Sequence, residues 1–410
     1  MSNWAPFWDT APLRDVADFR NGVNFNSANK GRGIKVVGVS NFQDYVDVPY
    51  HELDEINPTG VVRAEDLLQE NDFVFVRSNG NRALIGRSLF VRNLTESVTH
   101  SGFTIRLRFI SDVMRSEFFS QLIRSDIARN EMSHFGSGTN ISNLSQEILG
   151  SLVVPLPPLH EQRAIAAILS TWDEAITLTT RLIEALQRRK QALMQLLLTG
   201  AVRFPGFDGE WKRTKIGDVL QPRKRLSKTT ESTNRLVSVR RRSGGLFWRA
   251  TGDQDPEESL STLNRIHVGD FLISRRQVVH GAMSLVPPEF DGGYVSDSYV
   301  SLTPYDKDAF EIRFFDWLSK TYAIHKLAFV SSHGVHIEKL FFDLDTFLGH
   351  HISVPPTASE QTHISNALDS IETYTALQKY MVEYLTSQKR GLMQQLLTGA
   401  VRVGEVEAGG

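Results

Sequence analysis

Residues Leu193 to Arg203 read LMQLLLTGAVR, and residues Leu392 to Arg402 read LMQQLLTGAVR. Ten of the eleven positions are identical, at a spacing of 199 residues. Upstream, Glu161-Gln162 answers to Glu360-Gln361, and each pair follows two prolines, Pro157-Pro158 and Pro355-Pro356. The halves also open alike: Trp8, Leu13, Asp15 and Val16 parallel Trp211, Ile216, Asp218 and Val219. Asp72-Phe73 aligns with Asp270-Phe271, and elsewhere the halves share little. An internal repeat takes precedence over local propensity, because it sets the architecture. This one gives a first domain (1–156), a connector (157–203), a second domain (204–354) and a second connector (355–403). The Gly-rich residues 404–410 are expected to be a disordered tail.

The connectors read as helices. From Ile165 the positions Ile165, Leu169, Trp172, Ile176, Thr179, Ile183, Leu186, Lys190, Leu193 and Leu197 step alternately by four and three. The second copy runs Ile364, Leu368, Ile371, Thr375, Gln378, Val382, Leu385, Lys389, Leu392 and Leu396. Such a narrow stripe is the seam of a coiled coil. Polar residues interrupt both seams at equivalent places, 179/378 and 190/389. Proline can open each helix, and Gly200 and Gly399 can stop it. Each helix would span about 60 Å at roughly 1.5 Å per residue. Antiparallel pairing would bury both seams, relate the halves by a pseudo-two-fold axis and set the domains at opposite ends of a rod. Packing of each helix on its own domain is the competing arrangement.

The domains read as α+β. DFVFV at 72–76 and DFLIS at 270–274 have the apolar density of short buried strands. Gly102 to Phe109 alternates like a half-buried strand. Val113 to Arg129 and Phe310 to Leu327 have helical spacing.

Composition narrows the function classes. Apolar residues make up 41% of 410 and cysteine is absent, so a disulfide scaffold, a catalytic thiolate and a cysteine-held metal are excluded. No apolar run approaches the roughly 20 residues of a membrane span, and Met1 to Asp15 does not read as a secretory signal. Net charge is −2, yet charge is unevenly placed. Arg223 to Arg249 holds nine Lys/Arg against Glu231, whereas Asp44 to Asp72 holds nine Asp/Glu against Arg63. Local fields decide where a polyanion lies. No Gly-x-x-x-x-Gly-Lys-Ser/Thr phosphate loop and no Asn/Asp-Pro-Pro-Tyr/Phe is present. His134 to Thr139 (HFGSGT) lacks the flanking strand and helix of a cofactor loop. His350 and His351 are adjacent with no partner at metal spacing, so no metal site is expected.

The order of two unlike domains and two repeated helices resembles the specificity subunit of type I restriction-modification systems. So do PLPPLHEQ at 155–162, the LMQxLLTG endings, DFVFVRSNGNRALIG at 72–86 and DFLISRRQVVHGAM at 270–283. The likeness covers the chain up to Val403. It implies a cytoplasmic, non-catalytic subunit whose two target recognition domains each read one half of a split, asymmetric site in double-stranded DNA. The paired helices would serve as a ruler between half-sites and as the dock for two modification subunits, which restriction subunits can join. S-adenosylmethionine, ATP and magnesium would belong to those partners, leaving no cofactor in this chain. On this reading Trp211 to about Ile352 should be exchangeable as a unit, and an insertion at Gln195 to Leu198 should lengthen the ruler. A coiled-coil adaptor that spaces two protein-binding domains fits the helices equally well; the loop arginines favour DNA.

Base reading in the major groove needs exposed Arg, Lys, Asn or Gln. In the first domain Arg77, Asn79, Asn81 and Arg82 follow the strand at 72–76. In the second, Arg275, Arg276, Gln277 and His280 hold the equivalent place. The alternative is a plain polar turn. Just before each connector stand Ser137, Thr139 and Asn140, and then Ser332 and His333, small or polar residues suited to phosphate contact. Arg240, Arg241 and Arg242, near Phe247 and Trp248, are expected to contact phosphates rather than bases.

Overall fold

The structure is a computed structural model that describes residues 4–26, 29–43, 45–81, 84–135, 143–227, 235–250, 263–334, 336 and 340–403. Contacts divide the chain into two compact units, Met1–Thr180 with Tyr380–Gly410, and Arg181–Lys379. Each unit therefore holds one α+β domain and a part of both connector helices.

In the first unit, strand Phe73–Val76 lies between Thr104–Phe109 and Ser88–Phe90, with Ala17–Asn21 on the far side of Thr104–Phe109. All pairings in this sheet are antiparallel. Successive side chains of a strand point to opposite faces. Phe73 and Phe75 enter a core shared with the helices, while Val74 and Val76 enter a second core with Val37, Leu89 and Val98. Burial on both faces is why this strand reads as an unbroken apolar run. The second unit repeats the plan, with strand order Leu220–Pro222, Tyr299–Pro304, Phe271–Ser274, Met283–Leu285. Phe271 and Ile273 face the helical core and Leu272 the other.

Two expectations need correction. Thr104 to Leu107 is buried throughout rather than alternately. Arg106 tolerates this because its guanidinium donates to Asp18 Oδ2 at 2.7 Å and to the Glu65 carbonyl at 3.0 Å. The helical stretches 113–129 and 310–327 are each two helices, Ser116–Ile123 with Asp126–Phe135, and Ile312–Ser319 with Tyr322–Val330. A hydroxyl makes each break. Ser125 Oγ donates to the Leu122 carbonyl and accepts from Ala128 N, and Thr321 Oγ1 donates to the Leu318 carbonyl.

Each domain is clasped at its ends. Asp9–Pro12 pairs antiparallel with Val153–Leu156, and Lys212–Lys215 with His351–Val354. Chain entry and exit therefore lie side by side in both domains.

The connectors are single helices, Leu159–Leu197 and Ala358–Leu397. All twenty seam positions are buried or half-buried, while Leu178, Leu182 and Leu377 are exposed. The lysines interrupting the seams carry partners: in the first unit Lys389 Nζ meets Asp173 Oδ1 at 2.6 Å, and in the second Lys190 Nζ meets Glu372 Oε2 at 2.5 Å. In each unit, one helix portion thus runs antiparallel to the other.

The repeated motifs at the helix ends are docking devices. Glu161, buried, is met by Arg402; Glu360, buried, is met by Arg203 through two bonds of 2.7 and 2.8 Å. Gln162 accepts from Arg115 N and donates to the Pro157 carbonyl; Gln361 accepts from Glu311 N and donates to the Pro355 carbonyl. Gly200 (φ 72°) and Gly399 (φ 75°) end their helices in the left-handed region. There they lie against Trp211 and Trp8, where a Cβ would stand 3.1 and 3.2 Å from the indoles. The helix ends also pack on the domains, so both arrangements weighed from the sequence hold in part. Ile165, Leu169 and Leu396 join the first domain's core, and Leu197, Leu198 and Ile364 the second's. Gln195 to Leu198 is therefore a poor place for an insertion, since two of its residues are core.

Candidate nucleic-acid interface

The segment leaving strand Phe73–Val76 is held on two sides. Arg77 N donates to the Phe103 carbonyl at 2.8 Å, and the Arg77 carbonyl accepts from Leu144 N at 2.8 Å. Asn79 Oδ1 accepts from Asn81 N at 2.7 Å, a side-chain turn that fixes the loop tip. In the second unit Arg275 N donates to the Ser298 carbonyl at 2.8 Å, and the Arg275 carbonyl accepts from Phe342 N at 3.3 Å. The two surfaces are thus built on one plan, with different side chains upon it.

These bonds join residues that the sequence kept apart. Leu144 lies just beyond Ser137, Thr139 and Asn140, which, like Arg82, lie outside the described residues. In the second domain Ser332–His333 pairs with Phe341–Phe342, so His333 and Arg275 flank one small ribbon. Arg275 Nη1 reaches the Phe342 carbonyl at 3.4 Å, and its guanidinium lies 5.8 Å from the Phe341 ring centre. His333 is exposed, whereas Ser332 Oγ donates to the Ala328 carbonyl at 2.8 Å. That hydroxyl is engaged inside the domain.

The arginine run docks on the same surface. It forms the tip of a hairpin between Val237–Val239 and Leu246–Trp248. Arg242 N donates to the His280 carbonyl at 2.7 Å and Ser243 N to the Gly281 carbonyl at 2.9 Å. His280 closes a turn, Val278–His280, that follows Arg275, Arg276 and Gln277. Arg241 and Arg242 are exposed at the tip. Arg240 turns back, its guanidinium donating to the Leu246 carbonyl and lying 4.9 Å from the Phe247 ring. The basic stretch is therefore not one continuous face. Arg225 is bound to the buried Asp270, and Arg235 stacks 4.0 Å over Trp248. Below the hairpin, Arg241, Arg242, Lys320 and Lys190 border a cleft of about 670 Å³ within the second unit.

Electrostatics elsewhere is largely structural. Much of the acidic stretch holds arginines: Asp66 and Glu65 bind Arg20, and Asp72 binds Arg108. Asp66 is pulled both ways. Burial raises its carboxyl, but the Arg63 backbone and Arg20 outweigh that and hold it below its usual range.

Comparison with known proteins gives this geometry a context. Residues 7–188 match the family described as Type I restriction modification DNA specificity domain. Almost the whole chain is similar to a protein of Methanocaldococcus jannaschii, named provisionally as the type I restriction enzyme MjaX specificity subunit. The two are 24% identical over 424 residues, which cover 97% of this chain and 94% of that one. The first half of the chain is thus similar to that family, and the likeness to a specificity subunit runs over almost its whole length.

Solved structures agree on the fold. The type I specificity subunit of M. genitalium superposes with a TM-score of 0.57 at 13% identity, covering 95% of this chain and 96% of that one. A chain from a structure described as the basis of complex assembly and conformational transition of the type I system gives 0.56 at 19% identity, covering 97% and 99%. The expected α+β domains joined by long helices are the fold these structures share with this chain.

Sequence reading missed neighbours that only the fold supplies. Gly102 N donates to the Val23 carbonyl at 2.7 Å, which brings Asn24 beside the Arg77 loop. A Cβ at Gly102 would lie 2.0 Å from Asn24 Oδ1, so glycine is what lets Asn24 cross the turn. Asn24, Phe103 and Phe341 carried no signal, because each reaches the surface through pairing with a distant strand. Among the described residues, no group of three or more His, Asp or Glu stands where it could hold a metal. None of their helices is long and apolar enough to cross a membrane.

Proposed function

We propose that this chain is the cytoplasmic, non-catalytic DNA-reading subunit of a type I restriction-modification complex, each domain reading one half of a bipartite, asymmetric site. The observation that carries it is the pair of equivalent loop platforms with unlike side chains. Arg77 and Asn79 stand on one, Arg275 and Arg276 on the other, where Gln277 Oε1 and His280 Nε2 are buried. Two frames of one geometry with different donors and acceptors are what two different half-sites require. Arg241 and Arg242 supply sequence-independent attraction to phosphates.

Partners that bring the chemistry would dock on the connector helices. Support lies in a second apolar stripe, separate from the seam. Tyr374, Leu377, Met381 and Tyr384 recur at helical spacing and are exposed. Leu178 and Leu182 hold the equivalents of Leu377 and Met381 and are exposed too. Contiguous exposed apolar surface marks interaction sites. Two modification subunits would carry S-adenosylmethionine, and restriction subunits ATP and magnesium.

The test is co-expression with a candidate modification subunit, followed by methylation mapping on random DNA and binding titrations at several salt concentrations. A split recognition sequence and a salt-dependent affinity are expected. A complex that forms but shows no sequence preference would leave the adaptor reading in its place.

A further inference from the structure

Two large apolar side chains stand in water on the candidate reading surfaces. Phe103 is 59% exposed and Phe341 is 61% exposed. Isolated exposed apolar residues are common on proteins, so exposure alone assigns nothing. Position is what distinguishes these two. The Phe103 carbonyl accepts from both Arg77 N and Ser78 N, and the turn is held from behind by the bond from Gly102 N to Val23. The backbone that carries the ring is therefore fixed beside Arg77 and Ser78. Phe341 lies across the ribbon from His333 and under the Arg275 guanidinium.

The two phenylalanines do not occupy equivalent positions. Register pairs Phe73 with Leu107 and Phe271 with Leu302, so Phe103 corresponds to Ser298. The bonds from Leu144 N to Arg77 and from Phe342 N to Arg275 make Asn143 the counterpart of Phe341. Each platform thus carries one exposed phenylalanine and, at the position where the other domain has its own, a polar residue. The aromatic has moved from one edge of the platform to the other.

Resting on the DNA reading above, we propose that Phe103 and Phe341 are specificity-determining residues, each contacting the 5-methyl group of a thymine in its own half-site. A phenylalanine among arginines and asparagines can neither donate to nor accept from a base edge. The methyl group of thymine is the apolar feature of the major-groove floor. Its different place on each platform selects a thymine at a different position of each half-site.

The experiment uses the full chain with its modification subunits on duplexes carrying the mapped site. Thymines of both half-sites are replaced one at a time by uracil, which lacks only the methyl. Removing a contacted methyl should weaken wild-type binding about three- to five-fold, the worth of one buried methyl-sized group. Phe103→Ala should abolish that sensitivity in one half-site and leave the other unchanged, and Phe341→Ala the reverse. Phe103→Leu, which keeps apolar surface, should retain part of it. Unchanged melting temperatures are expected, because both rings are exposed. Wild-type binding indifferent to every uracil overturns the assignment and points instead to a ring wedged between base pairs; undiminished uracil sensitivity in the alanine variants overturns it as well. Failure of the wild type to prefer its mapped site is a separate result that sinks the DNA reading, and this proposal with it.

Discussion

Lys389 and Asp173, 216 residues apart, meet at 2.6 Å inside the first unit. Burial lowers the pKa of Lys389, with Arg124 adding to the effect. Burial would raise Asp173, but Arg124, Lys389 and Gln121 together hold it below its usual range. Lys389→Met keeps the stem and leaves Asp173 with Gln121 and Arg124, so a loss of about 1–2 kcal/mol is expected. Asp173→Ala leaves two cations facing each other and should cost about 3 kcal/mol. The more exposed counterpart in the second unit gives Lys190→Met a smaller cost, under about 1 kcal/mol. Urea unfolding midpoints rank the three; equal costs would mean the pairs contribute little.

A second prediction concerns acid. Thr104 Oγ1 donates to the Ser101 carbonyl, so it accepts from His100 Nδ1 at 3.0 Å. That leaves His100 Nε2 a bare acceptor, buried with no hydrogen-bond partner among the described residues. Burial first, and then Arg106, lowers its pKa from 6.5 to about 3. The unfolded chain binds this proton near pH 6.5, while the folded chain refuses it down to about pH 3. Stability from this group is thus fully present above pH 6.5 and is lost as pH falls toward 3. At pH 5 the loss is about 2 kcal/mol. His100→Asn can still donate toward Thr104 and does not titrate. Its unfolding free energy should fall less steeply between pH 6.5 and 4.5, and parallel slopes would refute the assignment.

Domain exchange should obey the clasp. Replacing Trp211 to Val354 with the matching segment of a relative keeps both strands of the ribbon from one source. Stopping at Ile352 would split the pairs Lys212 with Val354 and Arg213 with Ser353. The longer chimera is expected to fold, change one half-site and leave the other intact. Methylation mapping decides it; a change in both half-sites would refute independent reading.

Arginines on the two surfaces should behave differently. Arg77→Ala and Arg275→Ala are expected to cost about 1–3 kcal/mol on the cognate site and to relax one position of one half-site. Arg241→Ala should weaken cognate and scrambled DNA alike and reduce the salt slope by about one unit. Arg240→Ala, whose guanidinium closes its own hairpin, should lower thermal stability more than it changes the salt slope.

The sequence made some of this legible and hid the rest for physical reasons. The helices and their seams were readable because a long periodic stripe repeats at a fixed offset. The strand at 72–76 was readable because burial on both faces leaves only apolar residues. The partners of Glu161 and Glu360 were not readable. Both lie in repeated motifs, but a motif does not say which distant arginine neutralises it. The ribbon of Asp9–Pro12 with Val153–Leu156 was hidden because four residues carry too little pattern to announce a partner across the whole domain. The broken helices were missed because Ser125 and Thr321 sit within apolar spacing that runs on unchanged. On the candidate reading surface the arginine loops were legible by composition, whereas Asn24, Phe103 and Phe341 depended on pairing.

The order in which the chain is made bears on how it folds. The second unit is one uninterrupted segment, Arg181–Lys379, whereas the first is assembled from Met1–Thr180 and Tyr380–Gly410. On the ribosome, the domain synthesised first must therefore wait for the second connector helix and Arg402. Until then Glu161 lacks Arg402, Asp173 lacks Lys389, and Ile165 and Leu169 lack the cover of Leu396 and Leu397. A nascent or cleaved chain ending at Lys379 should hold a closed second domain and a loosened first one, with hydrogen exchange faster over residues 113–173 than over 299–330. Damage to residues 380–403 would then be felt in the first domain. Residues 380–403 thus complete a domain made long before them.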